Sequence, residues 1–228
     1  NSLAELKREG KSFYWASFFL PRNLKIKAGT LYSICRHFDN VADKHCKDQT
    51  NYLKNSIEEI KKNKNNKVSI FLKKNKINHY IFIDLIKGLI LDQKKVKIKN
   101  KDELIQYSYH VAGTVGLMMS KIIGVKDRKA AKSAIDLGIG MQLTNIARDV
   151  YEDSKMKRIY LPANWIPNIS LKNLNNLHEF SKGNDEVISH AINKVIILSE
   201  KFYENGFAGL KHIPVSSRLG IFVAANVY

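Results

Sequence analysis

Apolar residues along this chain recur at intervals of three and four, and no stretch sustains a strict alternation of apolar and polar positions. The first pattern is that of helices burying one face and the second that of half-buried strands, so the chain predicts helices nearly throughout. The clearest helix covers residues 24 to about 47. A second opens at Asn100, with Glu103 three residues on in the spacing of a capping box, and ends near Gly124. A third covers about 127 to 155, and Pro162 and Pro167 follow it as breakers. Softer helical signals lie at 49–62, 78–91 and 185 to about 206. No internal repeat and no long linker divides the 228 residues, which suffice for one large core, so the expectation is a single all-α domain over 1–228. The chain opens on Asn1 and stops at Tyr228 inside the apolar run 219–228, with no capping or breaking residue. A domain truncated at its C-terminus is the expected reading.

Charge changes this picture in an uneven way. The formal net charge is +17, and 31 of the 38 basic residues are Lys. Residues 44–101 hold 16 Lys against five acids, most of the excess. Such a balance suits a polyanionic partner, but Lys, Asn and Ile share A/T-rich codons, and genome composition alone can inflate them. A nucleic-acid-binding protein would interleave Arg and aromatics with its lysines; residues 44–101 contain no Arg, so nucleic acid is not the expected partner. More telling are four windows with no Lys at all: 12–24, 28–43, 102–120 and 133–154. Where lysine is the ordinary surface filler, such gaps mark faces turned from solvent or opening on a cleft.

Two of these windows carry acids in register. Tyr32, Arg36, Asp39 and Asp43 are spaced 4, 3 and 4 apart, and Gln142, Asn145, Asp149 and Asp153 are spaced 3, 4 and 4 apart. Each set falls on one helical face, with Arg148 beside the second. Their remaining neighbours are apolar or small, which argues against an ordinary solvated stripe. Carboxylate pairs at i and i+4 repel by roughly 0.2–0.5 kcal/mol, a cost that a cation relieves. Carboxylates with an amide oxygen are hard ligands suited to Mg²⁺, with Mn²⁺ as a second candidate, and Arg36 and Arg148 are placed to hold phosphate oxygens. Two such helices facing each other read as a metal–diphosphate clamp. The window 102–120 is apolar but small, with Ala112, Gly113 and Gly116. Two readings stay open there: close helix packing, or a hydrocarbon slot lined by Tyr107, Val111, Leu117 and Met119. Cys35, His37, His45 and Cys46 suggest zinc only superficially, because Cys35 and His37 lie about 200° apart on a helix.

Four segments, KSFYWASFFLP (11–21), LYSICRHFDNVAD (31–43), YHVAGTVGLMM (109–119) and LGIGMQLTNIARDVYEDSKMKRIYLPANW (137–165), resemble the squalene and phytoene synthases, most closely bacterial phytoene synthases. The resemblance implies an all-α isoprenoid synthase fold with two Asp-rich motifs across a central cavity. It implies Mg²⁺ at Asp39, Asp43, Asn145, Asp149 and Asp153. Lys11, Ser12, Tyr32, Arg36, Gln142, Arg148 and Tyr228 match diphosphate or prenyl contacts, and Val111, Gly113 and Gly116 would flank the chains. Tyr107 matches a tyrosine over the reacting carbons and joins Arg36 and Arg148 as the catalytic set. Asn40 stands where the family commonly has a second Asp, but it points away from the Asp39/Asp43 face.

The reaction so implied joins two geranylgeranyl diphosphates head to head through a cyclopropyl diphosphate to phytoene, a carotenoid precursor. A squalene, hydroxysqualene or dehydrosqualene synthase acting on farnesyl diphosphate would use the same clamp. Two Cys fit a reducing compartment, and no apolar run reaches the roughly 18 residues of a membrane span, so a cytoplasmic enzyme is expected. The lysine surplus suggests peripheral contact with an anionic membrane at its inner face.

Overall fold

The computed structural model describes residues 2–43, 47–93, 96–175 and 182–227. Helices follow one another as α1 (Ser2–Glu9), α2 (Lys11–Ser17), α3 (Arg22–Ala42), α4 (Lys47–Lys61), α5 (Lys67–Lys74), α6 (His79–Asp92) and α7 (Lys101–Ser108). A π-helical turn, Tyr109–Gly113, joins α7 to α8 (Thr114–Ile123). Then come α9 (Arg128–Arg148), α10 (Val150–Lys155), α11 (Leu171–Asn175), α12 (Lys182–Ala208) and α13 (Val215–Val227). Among the described residues the only β pairing is an isolated bridge between Lys97 and Ile159.

The helix boundaries have local causes. α3 starts directly after Pro21, whose fixed φ suits the residue before a helix. Asn100 Oδ1 accepts from the Glu103 N–H, while Glu103 Oε2 reaches one residue further than a capping box requires and accepts from Lys99 N–H. Gly124, at φ +89°, supplies the left-handed residue that ends α8. Two long helices expected from periodicity are interrupted. The second, starting at Asn100, widens into the π turn at 109–113. The third breaks at Asp149, whose φ of −101° and ψ of 19° leave the helical region before α10 resumes.

Core packing divides around a central space. One cluster joins α3, α4, α6 and α8 through Leu31, Phe38, Leu53, Phe82, Ile86 and Met118. A second joins α7, α9 and α12 with the 158–166 segment through Leu104, Leu143, Ile146, Leu161 and Val195. A small third cluster, Ile123, Val125 and Ala130, lies at the start of α9. α8 and the π turn meet α9 through main chain: a Cβ on Gly116 would collide with the Ala134 carbonyl, and one on Gly138 with the Ala112 carbonyl. These glycines permit the close approach of the two main chains.

Candidate active site

Between the clusters lies a cavity of about 810 Å³, within the range of small-molecule sites. Much of its wall comes from the four Lys-free windows, with further residues from α1, the 156–160 segment, the end of α12 and α13. Residues 44–101, the lysine-rich stretch, contribute only Leu85, Leu89 and Asp92. Among the described residues Lys11 is the only lysine lining the cavity, whereas four arginines do: Arg8, Arg36, Arg148 and Arg158.

The two acidic faces converge at one end. Asp39 and Asp43 come from the last turn of α3, and Asn145, Asp149 and Asp153 from the end of α9 and from α10. The break at Asp149 leaves its N–H bonded to Asn145 O at 2.8 Å, and the Asp153 N–H bonded to Asp149 O at 2.8 Å, so the stripe continues across it. Tyr32, Arg36, Gln142 and Arg148 line the same region. Lys11 and Ser12 join them because α2 starts beside Tyr32, whose ring fills the space a Cβ on Gly10 would need. Tyr107, Val111 and Gly116 also line the cavity. Gly113 does not: it faces α9, where an added Cβ would meet Ile135 and Ile139, so its smallness serves helix packing rather than a substrate. Leu117 and Asn40 are likewise off the lining. Tyr228 lies outside the described residues.

Each carboxylate pair is held by arginine. Arg36 pairs with Asp39 on α3. Arg148 donates from Nε and from one terminal nitrogen to the two oxygens of Asp149 at 2.6 and 2.7 Å, and also reaches Asn145 Oδ1 at 3.0 Å. Arg158, buried, donates to Asp43 at 3.0 Å. Burial, then repulsion from Asp43, holds the Asp39 carboxyl above its ordinary range, against Arg36. Burial, then Asp149, pushes Asp153 up to about 7. Like charges therefore remain crowded even with arginine present.

The sequence profile of squalene/phytoene synthases matches residues 6–228. The chain belongs to the squalene/phytoene synthase family. It is 31% identical to 15-cis-phytoene synthase of Enterobacter agglomerans over 96% of this chain and 79% of that relative. It is 37% identical to 15-cis-phytoene synthase of Pantoea ananas over 64% of this chain and 46% of that relative, so this alignment spans about half of the relative's length. The fold is similar to a crystal structure of a dehydrosqualene synthase in complex with ligand, with a TM-score of 0.86 at 26% identity, covering 100% of this chain and 82% of that one. The fold is thus that of the isoprenoid synthases, and the family's chemistry is prenyl transfer by head-to-head condensation of prenyl diphosphates.

Family membership gives weight to residues that sequence reasoning passed over. Asp92, at the end of α6, is buried and accepts from the hydroxyls of Tyr107 and Tyr160, each at 2.9 Å. The two rings stack at 4.8 Å between centroids. Tyr107 is thus held by its hydroxyl and by its face. The positive charge of Arg158 acts on Asp92; burial lowers the Arg158 pKa, but Tyr160, Asp92 and Asp43 outweigh it and raise it overall. A single signal could have exposed Arg158: arginine in a chain that fills its surface with lysine.

Burial pushes the Asp92 carboxyl up to about 6, against the favourable pull of Arg158 and the two hydroxyls. Folded Asp92 therefore binds its proton more tightly than an unfolded carboxyl. The folded state holds the extra proton between about pH 4 and 6, and stability from this group falls as pH rises through that window. Denaturant titrations should show the wild type losing about 2–3 kcal/mol relative to Asp92→Asn between pH 4 and pH 7. Equal pH slopes in the two proteins would show that Asp92 is not a buried, titrating carboxyl.

Proposed function

We propose that this enzyme condenses two geranylgeranyl diphosphates through a cyclopropyl diphosphate to phytoene, releasing two diphosphates. The supporting observation is the length of the cavity along α9. Lining residues run in one stripe from Asn145 beside the acids through Gln142, Met141, Gly138 and Ala134 to Ala130. At 1.5 Å per residue, this stripe is roughly 22 Å long. The third core cluster closes it. An extended twenty-carbon prenyl group, with sixteen carbons in its main chain, reaches roughly 18–20 Å, and a fifteen-carbon one roughly 13–15 Å. The longer chain fits the available depth. Likeness to phytoene synthases by sequence supports the same reading, while the structural likeness to a dehydrosqualene synthase favours the shorter donor as the second reading.

In this proposal the residues divide the work by position. Lys11, Ser12, Arg36 and Arg148 bind diphosphate oxygens and neutralise charge as the allylic C–O bond ionises. The stacked rings of Tyr107 and Tyr160 shield the cation formed, and the apolar wall excludes water that would quench it. The 2,3 double bond of the second substrate attacks that carbon, and loss of a proton closes the cyclopropane. A second ionisation, rearrangement and proton loss follow. No histidine is required as general acid.

Asp39, Asp43, Asn145, Asp149 and Asp153 suit Mg²⁺ by the chemistry of their oxygens and by the crowding that raises Asp39 and Asp153. Among the described residues no three acidic, His or Cys side chains converge closely enough to hold an ion, and arginines pair with Asp39, Asp43 and Asp149. Loading the site therefore calls for the arginines to exchange carboxylate for diphosphate. Bound Mg²⁺ would supply further positive charge to the departing diphosphate.

The deciding experiment offers fifteen- and twenty-carbon diphosphates in parallel and identifies products by mass and absorption spectrum. Phytoene formation that stops in excess EDTA and returns with Mg²⁺ is the expected result. Exclusive use of the fifteen-carbon substrate would sink the phytoene reading, and full activity in EDTA would sink the metal.

A further inference from the structure

α2 presents Trp15 at 64% exposure, and Phe18 and Phe19 just beyond it at 53% and 46%. The rings form one cluster: Tyr14 to Phe18 at 5.0 Å between centroids, and Trp15 to Phe18 at 5.8 Å. Lys25 Nζ sits 3.7 Å from the Phe18 ring centre, and Lys7 Nζ lies 6.0 Å from that of Tyr14. Ile26, on the first turns of α3, is also exposed. Three neighbouring large aromatics cost free energy in water, and scattered exposure does not account for them.

Charge identifies what covers this patch. From Gly10 to Phe38 the chain contains no Asp or Glu, while Lys11, Arg22, Lys25, Lys27 and Arg36 are all cationic. Aromatics with cations at ring level, in a segment without acids, match the headgroup layer of an anionic bilayer, where Trp favours the boundary and lysine meets phosphate. Among the described residues no helix is long and apolar enough to cross a membrane, so the contact is interfacial. The opposite face of the same segment, Ala16, Ser17 and Leu20, lines the cavity.

We propose that the α2–α3 corner docks this enzyme on anionic phospholipid, with Trp15, Phe18 and Phe19 inserted at headgroup depth. Docking there sets one thin helix between bilayer and cavity. That the bilayer also delivers substrate rests on the proposed condensation of prenyl chains; the docking does not. The lysine-rich stretch is a poorer candidate. Its lysines are partly paired, Lys61 with Glu58, Lys64 with Glu59 and Lys87 with Asp84, and its exposed apolar residues, such as Ile70 and Tyr80, make no comparable cluster.

Two tryptophans occur in the chain, so Trp165→Phe leaves Trp15 as the sole reporter. With vesicles of phosphatidylcholine containing about one third phosphatidylglycerol, Trp15 emission should shift to the blue and be quenched by lipids brominated near the headgroup. Trp15→Ala/Phe18→Ala should weaken co-sedimentation with the same vesicles about tenfold or more. Ile70→Ala/Tyr80→Ala should leave it unchanged. Circular dichroism and turnover of detergent-dispersed substrate should match wild type in both variants, which separates loss of docking from loss of fold or of chemistry. Unchanged Trp15 emission at saturating vesicles would overturn the assignment. So would self-association without lipid that the Trp15/Phe18 variant abolishes, since a second copy would then cover the patch. An absence of condensation product alongside intact vesicle binding would refute the proposed reaction and leave the docking surface standing.

Discussion

Replacing Asp149 with alanine is expected to lower turnover by about a thousandfold or more while leaving the far-ultraviolet helical signal intact. Three features concentrate this effect on one residue. Asp149 sits at the break between α9 and α10, it holds the Arg148 guanidinium by both carboxylate oxygens, and it raises the Asp153 carboxyl across one turn. The alanine variant loses a carboxylate suited to the metal and also frees Arg148 from its position. Its apparent Mg²⁺ requirement should rise steeply. Asp149→Asn, which keeps one oxygen but not the charge, should show the same defect in milder form. Turnover within tenfold of wild type, at unchanged Mg²⁺ dependence, would remove Asp149 from the clamp. The fold should survive because the side chain is half-exposed and no core cluster contains it.

Ala134→Phe is expected to change which substrate the enzyme uses. Ala134 lies eleven positions before Asn145, about 16 Å along the helix, towards the Ala130 end of the cavity-facing stripe. A phenyl ring there occupies the space that the last isoprene unit of a twenty-carbon chain would take. Turnover of that chain should fall about a hundredfold or more, since a filled slot cannot yield without moving packed helices. Turnover of the fifteen-carbon chain should stay within about threefold. Parallel assays with both diphosphates read the ratio directly, and equal losses for the two would show that depth along α9 does not select chain length.

Much of this site was legible in the sequence because its chemistry uses residue types that the rest of the chain avoids. Each of the four lysine gaps contributes to the cavity wall, and the i, i+3 and i+4 spacing puts the acids of α3 and of α9–α10 on faces that line it. What periodicity could not show were the departures from regular helix. At Asp149 the i to i−4 hydrogen bonds continue across the break, and residues 109–113 stay helical as a π turn, so the apolar pattern runs through both unmarked. Gly113 was misplaced for a related reason: small residues signal close approach, but spacing alone does not say whether the neighbour is a helix or a ligand. Asp92 escaped notice because a lone acid at the end of an apolar helix resembles an ordinary surface terminus. Only the fold brings it under Tyr107 and Tyr160.

The contact between α8 and α9 bears on how substrate range can change in this protein. With Gly116 against the Ala134 carbonyl and Gly138 against the Ala112 carbonyl, backbone meets backbone, and neither helix can move closer. Nor can either retreat without opening a void in a close-packed interior. The cavity wall at this seam is therefore a rigid floor of fixed height. Specificity for chain length must be written on it by side chains alone, one position at a time, which makes such changes accessible to single substitutions.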